Sequence, residues 1–236
     1  MQQTYDPSRH RQKRHRFPRP ALAAATLALL GVAACGTSDH GTVEPELTAA
    51  QVCGSTLDSS AAAALRRVAG TDRFHELPGT DEAGQPNKFS LKLAAGSLHD
   101  DASKRNQCYV TKAEDKTGYP LIQVEFSAEK YHPKADMTSG GGATGKTPYP
   151  IGVYAETHER SSATIYFACP TRAPGKDASP TPTPYVRGYL FANSPKISPN
   201  TGEEDLMVIL NPVARAMAKQ LGCLSQANLP VHVPRV

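Results

Sequence analysis

Residues 185–192 (YVRGYLFA) and residues 203–221 (EEDLMVILNPVARAMAKQL) decide the fold class. The first stretch is rich in aromatic and β-branched residues, which favour a strand. The second has aliphatic residues and methionine every three or four positions, which predicts a long amphipathic helix. Its apolar face consists of Leu206, Ile209, Leu210, Val213, Met217 and Leu221. The chain therefore combines a sheet with a C-terminal helix.

Four more strands are predicted upstream, in two hairpins. The first joins Gln107–Lys112 to Leu121–Ser127 through the turn residues at 116–118. The second joins Ile151–Glu156 to Ala163–Ala168 around residues 158–161. Alternating β-branched and aromatic residues support each strand.

Two helices are predicted in the N-terminal half of the folded region. Residues 59–69 are rich in alanine, carry apolar residues at helical spacing and end before Gly70. Residues 89–98 fit a shorter amphipathic helix, although their first residues also alternate as a strand does. The predicted fold class is α+β: an antiparallel sheet of about five strands packed by two N-terminal helices and one C-terminal helix.

The N-terminus has the organisation of a secretory signal. A basic stretch ends at Arg19, and Ala21–Ala34 is uncharged and rich in alanine and leucine. These fourteen residues would span about 21 Å as a helix, which is too short for a hydrocarbon core of about 30 Å. A retained anchor helix is therefore disfavoured.

The end of this segment, Val32-Ala33-Ala34-Cys35, resembles the lipobox of bacterial lipoproteins. The resemblance implies that residues 1–34 are a lipoprotein signal peptide and that Cys35 becomes the lipidated N-terminus. Residues 35–47 would be the lipidated N-terminus and flexible tether, and residues 48–236 a single domain. The membrane is then a partner through the lipid, and the location is the outer face of the cell membrane. Plain secretion, with Cys35 an ordinary thiol, is the alternative.

Four cysteines remain after Cys35, at positions 53, 108, 169 and 223. An even number in an exported chain predicts two disulfides. Of the three possible pairings we favour Cys53–Cys108 and Cys169–Cys223, because each joins a helix to a strand end about 55 residues away. A four-thiolate metal site is disfavoured because the chain has no C-x-x-C pair.

The charge is concentrated in the signal segment. Residues 1–34 hold six of the 26 basic residues and one of the 22 acidic residues, which leaves 20 against 21 and a net charge of −1 for the rest. A near-neutral body lacks the basic surface that nucleic-acid binding requires, so we predict no nucleic-acid partner.

The segment 140–147 (GGGATGKT) matches the phosphate-binding pattern G-x-x-x-x-G-K-[ST] in full. A working phosphate loop opens a helix, whereas Pro148 and Pro150 prevent a helix here. We therefore interpret the segment as a flexible glycine loop.

No catalytic or metal-binding constellation is visible in the sequence. The histidines lack the i, i+4 spacing of zinc enzymes, and there is no G-x-S-x-G motif. Glu125 lies between Val124 and Phe126, where an outward-facing carboxylate is expected. We predict no cofactor and no metal, and the catalytic residues of any enzyme activity are unknown from sequence.

The segments Val52-Cys53-Gly54, Gly70–Phe74 and Lys219–Cys223, together with the lipobox, resemble the small secreted lipoproteins of actinobacteria. That resemblance implies a cell-envelope location and brings no catalytic residue with it. The expected function is a non-catalytic binding or accessory module whose ligand is an envelope protein or a small molecule. A cell-envelope hydrolase whose residues converge only in three dimensions is the alternative, and a purely structural surface protein is the third possibility.

Overall fold

A computed structural model describes residues 45–80, 85–134, 145–174 and 182–236. Its helices are α1 (Val52–Ser55), α2 (Ser59–Ala69), α3 (Leu91–Gly96) and α4 (Glu203–Gln220). Its strands are β1 (Phe74–Leu77), β2 (Gly79–Thr80), β3 (Pro86–Asn87), β4 (Cys108–Lys112), β5 (Ile122–Glu129), β6 (Lys146–Pro148), β7 (Tyr154–His158), β8 (Ser162–Thr171) and β9 (Thr183–Ala192). No helix within these ranges is long and apolar enough to cross a membrane.

Seven of the strands form one antiparallel sheet in the order β1-β4-β5-β9-β8-β7-β6, and β2 pairs with β3 separately. The fold is therefore α+β with an antiparallel sheet, as predicted. Both predicted hairpins form, although the second begins at Tyr154 and not at Ile151. The predicted number of about five strands is wrong. The sheet gains β1 and β6 at its two edges, and the described ranges hold four helices instead of three.

Both added strands are short, which explains why the sequence pattern does not show them. β6 has three residues and ends in a proline, and β1 has four residues with little alternation. An edge strand needs only one hydrogen-bonded neighbour, so it forms with less β propensity than a central strand requires.

The helices cover one face of the sheet. Along β8, Ala163, Ile165, Phe167 and Cys169 are buried while the residues between them are not. On β9 the same alternation buries Val186, Gly188 and Leu190. Helix α4 packs on β7, β8 and β9, and α2 packs on α4. A large apolar core thus fills the space between helices and sheet, while the opposite face of the sheet is left for other contacts.

An ion pair fixes α2 against α4. The Arg67 guanidinium lies 2.5 Å from Oδ1 of Asp205, whose side chain is almost fully buried. The second oxygen of Asp205 accepts a hydrogen bond from the backbone N–H of Gly202 at 2.9 Å, which caps α4. One carboxylate therefore sets both the start of α4 and its contact with α2.

Two disulfides cross-link strands of the sheet to the helical layer and the turn that follows it. Cys53 is bonded to Cys108 with an S–S distance of 2.06 Å, and Cys169 to Cys223 with 1.95 Å. These are the pairs favoured from the sequence. The first connects α1 to β4, and the second connects β8 to the turn after α4.

Leu47 belongs to the folded part of the chain. Its N–H donates to the carbonyl of Phe74 at 2.8 Å, and the N–H of Phe74 donates to the carbonyl of Leu47 at 2.9 Å. Backbone pairing thus begins at least one residue before the domain start expected at Thr48.

The turn between β4 and β5 is held by the ammonium group of Lys196, whose side chain is partly exposed. Nζ of Lys196 lies 2.5 Å from Oδ2 of Asp115 and 2.6 Å from the carbonyl oxygen of Tyr119. The hydrogen bond from Lys196 lowers the pKa of Asp115 to about 2. The segment after β9 is thereby fixed beside the β4–β5 turn. This contact helps to hold β9 next to β5 in the sheet.

Gly188 is required where α4 approaches the sheet. A Cβ at this position would lie 2.9 Å from Cε1 of Phe126 and 3.6 Å from Cδ1 of Leu210. We expect Gly188→Ala to lower the free energy of unfolding by about 1–3 kcal/mol, the usual cost of overpacking a core. Urea denaturation measures this change.

Gly96→Ala in α3 is the control, because a Cβ at this position would meet nothing within 4 Å. This substitution should leave the free energy of unfolding unchanged or raise it. An unchanged urea midpoint for Gly188→Ala would contradict this expectation and show that Phe126 and Leu210 can move to accommodate the added Cβ.

Candidate binding face

The face of the sheet opposite the helices carries most of the chain's tyrosines. Five of the nine tyrosines lie here, together with one phenylalanine and one arginine. We call this surface the tyrosine face; it consists of Tyr109, Tyr154, Tyr166, Tyr185, Arg187, Tyr189 and Phe191. Phe191 is 40% exposed, and the others are partly exposed. In the described ranges, the helices that contact β4, β5, β7, β8 and β9 pack on the opposite face of the sheet, which forms the apolar core.

Strand pairing places these side chains in four neighbouring rows, the outermost of which holds Phe191 and Tyr109. Residues directly opposite each other in an antiparallel pair point to the same side of the sheet. In one row Arg187 stands opposite Tyr166, which stands opposite Tyr154. The flanking rows contain Tyr189 and Tyr185, one on each side of Arg187 along β9. The rings therefore form a continuous patch centred on β8 and β9.

Arg187 organises the middle of the patch. Its guanidinium carbon lies 4.5 Å from the centre of the Tyr189 ring, within the range of a cation–π contact. The same guanidinium lies 4.0 Å from Oε1 of Glu125 on β5. Glu125 thus faces outward, as the sequence predicts, and the charge of Arg187 is balanced within the face.

A second charged pair closes the β7 side of the face. The Lys146 ammonium lies 2.9 Å from Oε1 of Glu156, and the Tyr154 hydroxyl donates to Oε2 of the same carboxylate. The Tyr154 and Tyr166 rings meet edge to face, with their centres 5.9 Å apart. Each carboxylate oxygen of Glu156 thus has a partner from the protein.

These contacts also bear on the phosphate-loop pattern. Lys146 begins strand β6 and pairs with Glu156, so the residues after the glycines form a strand and the lysine has an anionic partner within the protein. Residues 140–144 of the pattern lie outside the described ranges. A phosphate loop needs a helix at this point, and the chain has a strand.

Three tyrosines of the face have a raised pKa. Burial, and then the negative charge of Glu125, raises the pKa of Tyr109. Burial also raises the pKa of Tyr166, and burial with the hydrogen bond to Glu156 raises the pKa of Tyr154. Tyr109, Tyr154 and Tyr166 therefore keep neutral hydroxyl groups at physiological pH, and those of Tyr109 and Tyr154 donate hydrogen bonds within the face.

Glu125 and Glu156 stand too far apart on the face to act as a glycosidase pair. Glu125 and Glu156 occupy the same row but are separated by three strand spacings, or roughly 14 Å at about 4.8 Å per strand. Retaining and inverting glycosidases place their two carboxyl groups about 5–9.5 Å apart. This row cannot supply the two carboxylates of that mechanism.

No serine hydroxyl is paired with a histidine base among the described residues. Ser127 is buried and donates to Glu129 at 2.7 Å. Nε2 of His99 lies 3.0 Å from the Thr171 hydroxyl, and burial lowers the pKa of His99. Between described residues, no hydrogen bond joins a serine hydroxyl to a histidine ring, and no group of three or more His, Cys, Asp or Glu is placed to hold a metal.

Of the predicted site residues, Cys35 lies outside the described ranges, and the other four cysteines form the two disulfides. The tyrosine face is the feature that sequence reasoning missed. Its signal is present in the alternation of residues 185–191, where every second residue is Tyr, Arg, Tyr or Phe. The chain matches no protein-family model, no curated protein and no solved structure.

Proposed function

We propose that this chain is a lipid-anchored, extracytoplasmic protein of the cell envelope that acts as a non-catalytic binding module for a neutral glycan. The observation that carries the proposal is the tyrosine face: five tyrosines, Phe191 and Arg187 share one side of a sheet whose other side is packed by helices. Tyrosine supplies a large apolar surface with a polar end. A strand-mounted set of rings is held by the sheet and loses little freedom when a ligand binds.

The chemistry of the face favours a neutral ligand rich in hydroxyl groups. Its cations already have anionic partners, since Arg187 lies beside Glu125 and Lys146 pairs with Glu156. A polyanion such as nucleic acid would have to compete with Glu125 and Glu156 for these two cations. A sugar ring offers C–H groups that pack on tyrosine rings and hydroxyls that exchange hydrogen bonds with carboxylates and amides.

A polar group on β5 extends the same chemistry. The Gln123 side chain stands beside Phe191 in the strand register, and its amide donates to Oε1 of Gln107 at 2.6 Å. The Tyr109 hydroxyl donates to the same oxygen at 2.5 Å. This network positions the Gln123 amide at the border of the rings, where a ligand hydroxyl can accept or donate.

The lipobox supports the location. Lipidation at Cys35 would hold the protein on the outer face of the cell membrane, and residues 36–44 would connect the lipid to the domain. Two or more acyl chains anchor a protein stably, whereas one chain is marginal. A glycan-binding surface on such a module would link the membrane to the glycan polymer of the cell envelope.

The test is affinity electrophoresis of the full chain, purified in a non-ionic detergent, through gels containing hydroxyethyl cellulose or glycol chitin. We expect retardation by at least one of these polysaccharides and about tenfold weaker binding for Tyr189→Thr, because a lost ring contact of about 1.4 kcal/mol is a factor of ten. Threonine keeps the β propensity of the position.

Two variants control this experiment. Tyr189→Phe keeps the ring and should bind nearly as the wild type does, while Tyr119→Thr removes a tyrosine that is 68% exposed and lies outside the face. Migration of the wild type unaffected by both polysaccharides would contradict the proposal. Equal retardation of Tyr189→Thr and wild type would show that the tyrosine face is not the binding surface.

A further inference from the structure

A pocket of about 420 Å³ adjoins the tyrosine face at its β7 edge. It is formed mainly by the segment between β6 and β7, and Tyr154 lines both the pocket and the face. We call it the edge pocket. Tyr149 and Ile151 are buried at its lining, and Val153, which is 39% exposed, stands at its rim.

The lining of the edge pocket is uncharged. Its residues are Pro148, Tyr149, Pro150, Ile151, Gly152, Val153, Tyr154, Ala155 and Asn228, all of them in the described part of the chain. This contrasts with the tyrosine face, where arginine, lysine and glutamate lie between the rings. The two adjoining surfaces therefore suit chemically different parts of one ligand.

The segment 148–153 also has no backbone donor to offer. Pro148 and Pro150 lack an N–H. The N–H groups of the other four residues donate within the protein, to the carbonyls of Ala155, Tyr149, Asn228 and Tyr166 at 2.8–2.9 Å. A hydroxyl that entered the pocket would find no free N–H in this segment from which to accept a hydrogen bond, whereas a methyl group needs no such donor.

Gly152 allows this wall to lie directly against β8. Its φ is +64°, and a Cβ would lie 2.2 Å from the carbonyl oxygen of Tyr166. Its N–H donates to the carbonyl of Asn228 at 2.8 Å, and its own carbonyl accepts from the Asn228 side chain at 3.1 Å. The pocket wall is therefore fixed to both β8 and the C-terminal segment, so the pocket exists before a ligand binds.

We propose that the edge pocket selects the glycan by holding the methyl group of an N-acetyl substituent while the tyrosine face carries the sugar rings. This inference rests on the proposed function. It follows from three properties together: the pocket shares Tyr154 with the face, it is uncharged, and its main segment has no free N–H.

The test compares two oligosaccharides with the same β-1,4 linkage, tetra-N-acetylchitotetraose and cellotetraose, by calorimetric titration of the full chain in non-ionic detergent. They differ only in carrying an N-acetyl group or a hydroxyl at each C2. We expect at least tenfold tighter binding of the acetylated oligosaccharide. Val153→Asp should reduce that binding to the level of cellotetraose.

The outcomes separate the inference from the function it depends on. Equal affinity of the wild type for both oligosaccharides would overturn the role of the edge pocket and leave glycan binding standing. Binding of neither would overturn both. Val153→Ser, a smaller change at the same exposed position, should also lower the preference for the acetylated oligosaccharide; a preference unchanged in both Val153 variants would assign it to another part of the face.

Discussion

Cys35→Ser is expected to abolish fatty-acid labelling of this protein in a bacterial host that processes lipoproteins. Only a thiol at this position can form the thioether to the diacylglyceryl group, so the serine variant should accumulate as an unprocessed precursor. The expected effect is complete loss of label. Metabolic labelling with a radioactive fatty acid, followed by electrophoresis of the precursor and mature forms, measures it.

The matched control is Ser38→Ala, a change of similar size three residues further along the chain that leaves the thiol in place. This variant should be labelled and processed as the wild type is. Normal labelling of Cys35→Ser would contradict the lipoprotein assignment, and a soluble, fully processed Cys35→Ser variant would favour plain secretion.

Removal of the Cys169–Cys223 disulfide is expected to lower the free energy of unfolding by about 4 kcal/mol, because its residues are 54 positions apart and cross-linking a loop of that length restricts the unfolded chain by about this amount. The variant carries Cys169→Ala and Cys223→Ala together, so that no single thiol is left to form wrong pairs. Guanidinium denaturation of variant and wild type measures the difference.

The second disulfide provides the comparison. Cys53 and Cys108 are 55 positions apart, so the corresponding double variant should lose a similar amount of stability. Wild-type protein denatured without reductant should resist alkylation at all four positions. A loss below about 1 kcal/mol, or a free thiol among the four, would contradict the view that these bonds stabilise the mature domain.

The sequence predicts the central strands well because their signal is local. Every second residue of 163–169 is apolar, and the same holds for 122–126, so each strand shows which of its sides is buried. The hairpin partners follow from short turns. Helix α2 is equally clear, since its apolar residues recur at helical spacing and Gly70, with φ of +70°, ends it.

The edge strands and the binding face depend on information that is not local. β6 follows a glycine-rich segment and has three residues, so its pairing with β7 decides its conformation. The tyrosine face needs the strand order: β9 lies between β5 and β8, which brings Glu125, Tyr189 and Thr164 into one row. The sequence shows that each residue faces outward on its own strand but not which outward residues are neighbours.

The hydrolase alternative also depends on which residues are neighbours in the folded chain. Sequence offers many carboxylates without showing which of them converge. The register places Glu125 and Glu156 far apart, and Ser127 bonds to Glu129. Between described residues that alternative has no supporting hydrogen bond from a serine to a histidine, whereas the tyrosine face gives a binding role a specific surface.

The central claim is that the tyrosine face binds cell-envelope glycan, and co-sedimentation with isolated, protein-free cell walls tests it most directly. The full chain in non-ionic detergent is mixed with the walls and centrifuged, alongside a Tyr166→Thr, Tyr189→Thr double variant and the control Tyr119→Thr, after each has been shown to unfold cooperatively. We predict that wild type and control sediment with the walls and that the double variant stays in the supernatant. Sedimentation of the folded double variant to the wild-type extent, or failure of the wild type to sediment, would contradict the claim.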